Sequence, residues 1–150
     1  SFLATNNDLS RVQNTGHNRA INRHQWALDE LTGLLNDAKS QHARCLQAIK
    51  QLIDMRQGQP AFHPNATQFT LNCGRSIFGF WRQSPDRVQS VFCLYNVTPT
   101  STTPAAASLN LVGSDSWRDL ISGETVDLFS EDPSIELAPY QAVWLTNTMT

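Results

Sequence analysis

RQGQPAFHPNATQ, residues 56–68, is where the chain changes its period, and its reading decides the fold. Ahead of it, Trp26, Leu28, Leu31, Leu34 and Leu35 recur at intervals of three and four, with Asp29 and Glu30 on the other side. That spacing places the apolar residues on one face of a helix. Ser40 is suited to cap a second helix, because its hydroxyl accepts a bond from an otherwise orphan amide. Along that helix Ala43, Leu46, Ile49 and Ile53 form an apolar stripe, widened by Leu52. Arg56 falls in its last turn, where a cation suits the helix dipole, and Gly58 then Pro60 stop it.

Behind the stretch the period becomes two. Phe69 and Leu71 alternate with polar neighbours, then come Ile77 to Trp81, then VQSVFCLYNV from Val88 to Val97. Asn72-Cys73-Gly74 and Ser84-Pro85-Asp86 are turn signals between these runs, and 98–107 is a Thr-, Pro- and Ala-rich loop. Further short strands are expected at 108–112, 125–128, 134–137 and 141–146, roughly seven or eight in all, the number and spacing of an antiparallel sandwich. The expected interior comprises Phe78, Phe80, Val91, Cys93, Leu109, Leu111, Val143 and Leu145. The fold class is therefore α+β: N-terminal helices over 1–62, followed by an antiparallel β-sandwich over 63–150.

With a formal net charge of −2 and Lys39 and Lys50 as its only lysines, the chain has no basic face for nucleic acid or an anionic membrane. No apolar run approaches the ~20 residues of a bilayer span. The three cysteines stand at wide spacings without the paired ligands of a zinc site; buried, reduced thiols in a reducing compartment are expected. No metal or cofactor is implied. Asn65-Ala66-Thr67 and Asn96-Val97-Thr98 match the glycosylation sequon, a short pattern with little weight alone. The polar segment NDLSRVQNTGHNRAINRH at 7–24 crowds arginines, histidines and asparagines together and makes most sense against a larger body. The chain opens on Ser1 rather than Met, and the expectation is a piece of a larger cytoplasmic protein.

Six segments carry a family resemblance: NDL at 7–9, TGHNRAINRH at 15–24, RQGQPAFHPNATQF at 56–69, LYNVT at 94–98, WRDLISGE at 117–124 and LAPYQAVWL at 137–145. Together they span essentially the whole chain, which resembles the C-terminal portion of a glycoside hydrolase family 13 enzyme of the sucrose phosphorylase type. The first three segments are the more specific; the last three recur in many amylase-type C-terminal β domains. The resemblance implies a (β/α)8 barrel followed by a small β domain. Residues 1–62 would then be the end of the barrel and 63–150 the terminal domain, with the barrel of the parent chain as the partner. It also implies retaining glucosyl transfer, whose carboxylate pair comes from barrel strands upstream of this chain. The 150-residue chain alone is accordingly expected to be inactive, and its helices to self-associate or to pack on the β domain.

The resemblance further assigns Arg23, with Arg19 second, to the glucose-binding subsite, where a guanidinium fork can hold sugar hydroxyls. Both arginines could equally pair with acids as structural braces. His63, between Phe62 and Pro64, reads as a hydrogen-bonded structural histidine, and Trp81, Trp117 and Trp144 as core residues rather than sugar-stacking platforms. Asp115, Asp119, Glu124 and Asp127 lie in turn-like contexts without the signature of a catalytic acid pair. The small sugar substrate belongs to the intact enzyme only. The competing reading is an autonomous β-sandwich module that binds carbohydrate or a protein partner without catalysis.

Overall fold

The computed structural model describes residues 5–21, 24–104, 109, 112–113, 116–126 and 135–148. The chain divides into two compact units, Ser1–Asp54 and Met55–Thr150.

The first unit is helical. α1 (Ser10–Thr15) is a single short helix closed by Gly16, whose φ of 68° lets its N–H turn back to the Val12 carbonyl. α2 spans Leu28–Asn36 with Asp29 and Glu30 in its first turn, where acids complement the exposed amides. α3 spans Gln41–Gln57. Ser40 caps it as expected: its Oγ accepts the Ala43 N–H at 3.0 Å and donates to the Leu34 carbonyl, so one hydroxyl ties the end of α2 to the start of α3. No residue of α1, α2 or α3 is fully buried, the apolar stripe included. α3 ends at Gln57 without a left-handed glycine. Instead the Gly58 and Gln59 N–H groups reach the Met55 and Arg56 carbonyls at 3.2 Å, a tightening of the last turn, and Pro60–Phe62 follows as a 3-10 turn.

The second unit holds a six-stranded antiparallel sheet. β1 (Thr67–Leu71), β2 (Ile77–Gln83), β3 (Ser90–Asn96), β4 (Trp117–Asp119), β5 (Thr125–Val126) and β6 (Ala142–Thr146) are arranged in the order β1-β2-β3-β6-β4-β5. The α+β order and the antiparallel β domain are as the sequence predicts. The wall facing the sheet is built of Leu109, Ile135 and Leu137, with an isolated bridge pairing Leu137 to Thr102. Strand β4 arises in a segment read as a turn, and β5 opens the strand expected at 125–128, of which 127 and 128 lie outside the described residues.

Register deals the side chains to two faces. Trp81, Phe92 and Leu145 face one another across β2, β3 and β6, as do Gly79, Leu94 and Val143. These join Leu71, Ile77 and Trp117 in the larger core. On the opposite face Phe80, Cys93 and Trp144 align, beside Val91, and are covered by Ala61, Phe62 and Met55. The expected single interior is therefore two. Cys93 pairs with Trp144 and Leu94 with Val143, so Val91 and Cys93 lie back to back with Val143 and Leu145. Phe78 is not interior at all but 56% exposed, and Phe80 is half-buried; Leu111 lies outside the described residues. Gly79 is glycine for want of room: a Cβ there would come within 2.9 Å of the Cys73 sulfur and 3.1 Å of Leu94.

Candidate functional site

Polar residues of the 7–24 segment are arranged by local backbone bonds. The Asp8 carboxylate accepts the Ser10 N–H at 2.9 Å, the turn that starts α1. That bond, then the Ser10 side chain, hold the Asp8 carboxyl below the usual carboxylate range; slight burial opposes them, and the charge of His24 adds a smaller push in their direction. Asp8 and His24, read in separate stretches of the sequence, thus feel each other's charge. Thr15 Oγ1 donates to the Arg11 carbonyl and accepts the His17 N–H, which fixes the path into the 3-10 turn Asn18–Ala20. Arg19 sits on that turn, exposed. Arg23 lies outside the described residues. Beyond it, the Trp26 ring stands edge-on to His24 at 4.5 Å and to His42 at 5.2 Å, holding the segment to the first turn of α3.

Residues 59–64, in the second unit, are strapped to the sheet by two side chains that periodicity did not single out. Gln89 is buried at the head of β3. Its Oε1 accepts the Ala61 N–H at 2.9 Å, while Nε2 donates to Gln59 Oε1 at 2.6 Å and to the hydroxyls of Thr148 and Thr146 at 3.1 and 3.3 Å. Arg82 donates from Nε to the Ala61 carbonyl at 2.8 Å and from Nη2 to the His63 carbonyl at 2.9 Å, with its guanidinium 5.9 Å from the Phe62 ring centre. The guanidinium fork spans both carbonyls at once, as a lysine could not. His63 itself is structural: its Nδ1 accepts the Asn65 N–H at 3.1 Å. In the sequence, Gln89 was visible only as a polar residue opening an apolar strand.

Asp119, read as part of a turn, is buried in β4. One oxygen accepts the Trp144 N–H at 2.8 Å and the Ile121 N–H at 3.1 Å, and the other accepts the Ser122 N–H. A carboxylate so enclosed is bound to the fold and has no open approach for a substrate. Asp115 and Asp127 lie outside the described residues. Trp117 and Trp144 pack in the two cores, and half-buried Trp81 stacks on Phe69 at 4.9 Å. Among the described residues, no group of three His, Cys, Asp or Glu side chains could hold a metal ion, and no helix is long and apolar enough to cross a membrane.

The six-stranded antiparallel sheet and the helices ahead of it in the chain are consistent with a C-terminal β domain of the α-amylase type, and the comparison with known families shows that class. Residues 67–144 match the family described as "Maltogenic Amylase, C-terminal domain", and the chain belongs to that family. Its relatives include glucosylglycerate phosphorylases. The protein of that name from Spirochaeta thermophila is 30% identical over 157 residues, and that from Escherichia coli 33% identical over 147; each alignment takes in 97% of this chain. The chain spans only about a quarter of these relatives, 26% and 24% of their lengths. Among solved structures, AmyP in complex with maltose superposes with a TM-score of 0.58 at 19% identity, covering 71% of this chain and 21% of that one. The α-glucosyl transfer enzyme XgtA gives 0.54 at 16% identity, covering 83% and 22%. Both show the same fold. The resemblance read from the motifs is thus shown as far as a C-terminal region of glycoside hydrolase family 13 type, related to glucosylglycerate phosphorylases.

Proposed function

We propose that this chain is the C-terminal part of a retaining α-glucoside phosphorylase, of the sucrose phosphorylase type in mechanism. Glucosylglycerate is the first donor to test and sucrose the second. The observation that carries the reading is the extent of the alignments. The domain family accounts for 67–144 only, yet the phosphorylase relatives align over 97% of the chain and so take in the polar segment and the helices. In such a reaction a carboxylate attacks the anomeric carbon while a carboxylic acid, about 5–5.5 Å away, protonates the leaving oxygen. Both groups belong, on this proposal, to the part of the polypeptide preceding residue 1, as does the barrel to which residues 1–62 contribute. The β domain over 63–150 supports that barrel. Arg23, or in second place Arg19, is assigned on this proposal to the glucose subsite, where a planar guanidinium fork orients sugar hydroxyls. A reducing, cytoplasmic setting is part of the proposal, in keeping with three cysteines at wide spacings.

The test takes the 150-residue chain and the longest reading frame that contains it. Each is given glucosylglycerate or sucrose with phosphate, and glucose 1-phosphate is measured. The longer protein is expected to release it and the short chain to release none. Within the longer protein, Arg23→Ala removes a charge-assisted contact of ~1.5–3 kcal/mol. That should lower kcat/KM by roughly one to two decades, with little change in melting temperature and no rescue by Arg23→Lys. Unchanged turnover with a lowered melting point would make Arg23 a brace, and turnover by the short chain would refute the proposal outright.

A further inference from the structure

Backbone bonds along the polar segment set its path. The Gln13, Gly16 and Ala20 N–H groups reach the Leu9, Val12 and His17 carbonyls at 2.8–2.9 Å, each within a single turn. Trp26 is the side chain that reaches out of this stretch. It lies half-buried in the irregular run between the 3-10 turn and α2, in a unit whose helices contain no fully buried residue. The His24 imidazole meets its ring at 4.5 Å and the His42 imidazole, in the first turn of α3, at 5.2 Å, with interplanar angles of 73° and 79°. Perpendicular pairs set the positive edge of one ring against the electron-rich face of the other, so they fix orientation as well as contact. The Asp8 carboxylate, held chiefly by the Ser10 N–H and side chain, also feels the charge of His24. One imidazole therefore answers both to the start of the segment and to the indole at its end.

Aliphatic neighbours would serve if the indole only filled space; two imidazoles add direction. The stretch held in this way is the one to which the glucose subsite is assigned on the proposed reading. Arg19 stands exposed on the 3-10 turn Asn18–Ala20, and Arg23 adjoins His24 in the chain. A guanidinium fork matches sugar hydroxyls only when it is oriented, and a misplacement of about 1 Å in such a constellation can cost about a hundredfold in rate. We propose that Trp26 is a positioning residue for the glucose subsite: clasped between His24 and His42, it seats the arginine-bearing segment on α3. This rests on the proposed phosphorylase.

Trp26→Leu and Trp26→Phe in the longer protein test this. Leucine keeps apolar bulk and removes the ring; phenylalanine keeps a ring for both imidazoles. Three quantities are read: kcat/KM with glucosylglycerate or sucrose and phosphate, the melting temperature, and the rate of native-state trypsin cleavage after Arg19. Cleavage after Arg75 is the control, since Arg75 lies exposed between β1 and β2 in the other unit. For Trp26→Leu, kcat/KM should fall at least about tenfold and cleavage after Arg19 should speed up at least about tenfold, with the Arg75 site and the melting temperature little changed. Trp26→Phe should stay within about threefold of the parent in both. Unchanged cleavage after Arg19 overturns the proposal. So does a loss of activity matched by faster cleavage after Arg75, which would make Trp26 a general stabiliser, or an equal loss in both variants. A longer protein inert towards glucosides, whose Arg19 site is still opened by Trp26→Leu, would leave the seating standing and sink the phosphorylase reading. An active protein indifferent to Trp26→Leu in both measurements would do the reverse.

Discussion

Asn96 shows how much one amide can organise. Its Nδ2 donates to the carbonyls of Thr100, Leu137 and Ala138, and its Oδ1 accepts the Thr98 N–H and hydroxyl. Two loops that share no strand are joined through it. Asn96→Ala would leave buried carbonyls unpaired and should cost about 1–3 kcal/mol in urea titration. Asn96→Asp, nearly the same shape, should cost at least as much, because a carboxylate cannot donate to the three carbonyls; near-wild-type stability for the aspartate would show the bonds to be incidental. Cys93 makes a prediction in pH. Burial pushes its thiol up from 9.0 to about 12, with Arg82 pulling weakly the other way. The unfolded chain therefore gives up this proton first. The stability associated with the neutral thiol is whole below about pH 9 and drains away as pH rises towards about 12, by about 1.4 kcal/mol for each step of one in pH. Tyr95, raised chiefly by burial, acts with the same sign. Cys93→Ala should be less stable at about pH 8 but lose less on going to about pH 10.5; equal losses in the two proteins would show that the thiol does not titrate with unfolding.

Among the elements, the strap over residues 59–64 depends on Arg82. Arg82→Lys keeps the charge but cannot reach the Ala61 and His63 carbonyls together. It should speed amide exchange at Phe62, His63 and Ala66 while leaving β2 and β3 protected, and unchanged exchange would mean that Gln89 alone holds the strap. The place of the strap was legible, since Gly58, Pro60 and the change of period mark it; its fastening was not, because Arg82 and Gln89 act from β2 and the head of β3 across long sequence separations. Strand β3 was equally plain as VFCLY. What no alternation rule could supply was that both faces of β3 are covered, which depends on the pairing of Cys93 with Trp144. Phe78 looked like core for the same reason: alternation assigns a side, and only the assembled layers decide whether that side is closed.

Taken whole, the molecule is unevenly built. The β unit has two apolar cores, whereas α1, α2 and α3 contain no fully buried residue. Short helices without tertiary cover are marginal in water. In the 150-residue chain, far-UV helix signal should therefore be lost at lower urea than the near-UV signal of Trp117 and Trp144, and coincident transitions would show that the two units fold as one. Of the candidate site, the sequence offered the arginines and their resemblance. It could not offer the electrostatic influence of His24 on Asp8, which pairs residues sixteen apart in the chain. The Gln89 amide has one more implication. It grips Gln59 and Ala61, where the chain enters the β unit, and Thr146 and Thr148, where it leaves. Start and finish of the β unit are neighbours there. The unit thus has the geometry of a cassette: it can be circularly permuted through a short linker, or inserted into a loop of an unrelated host, without pulling its sheet apart.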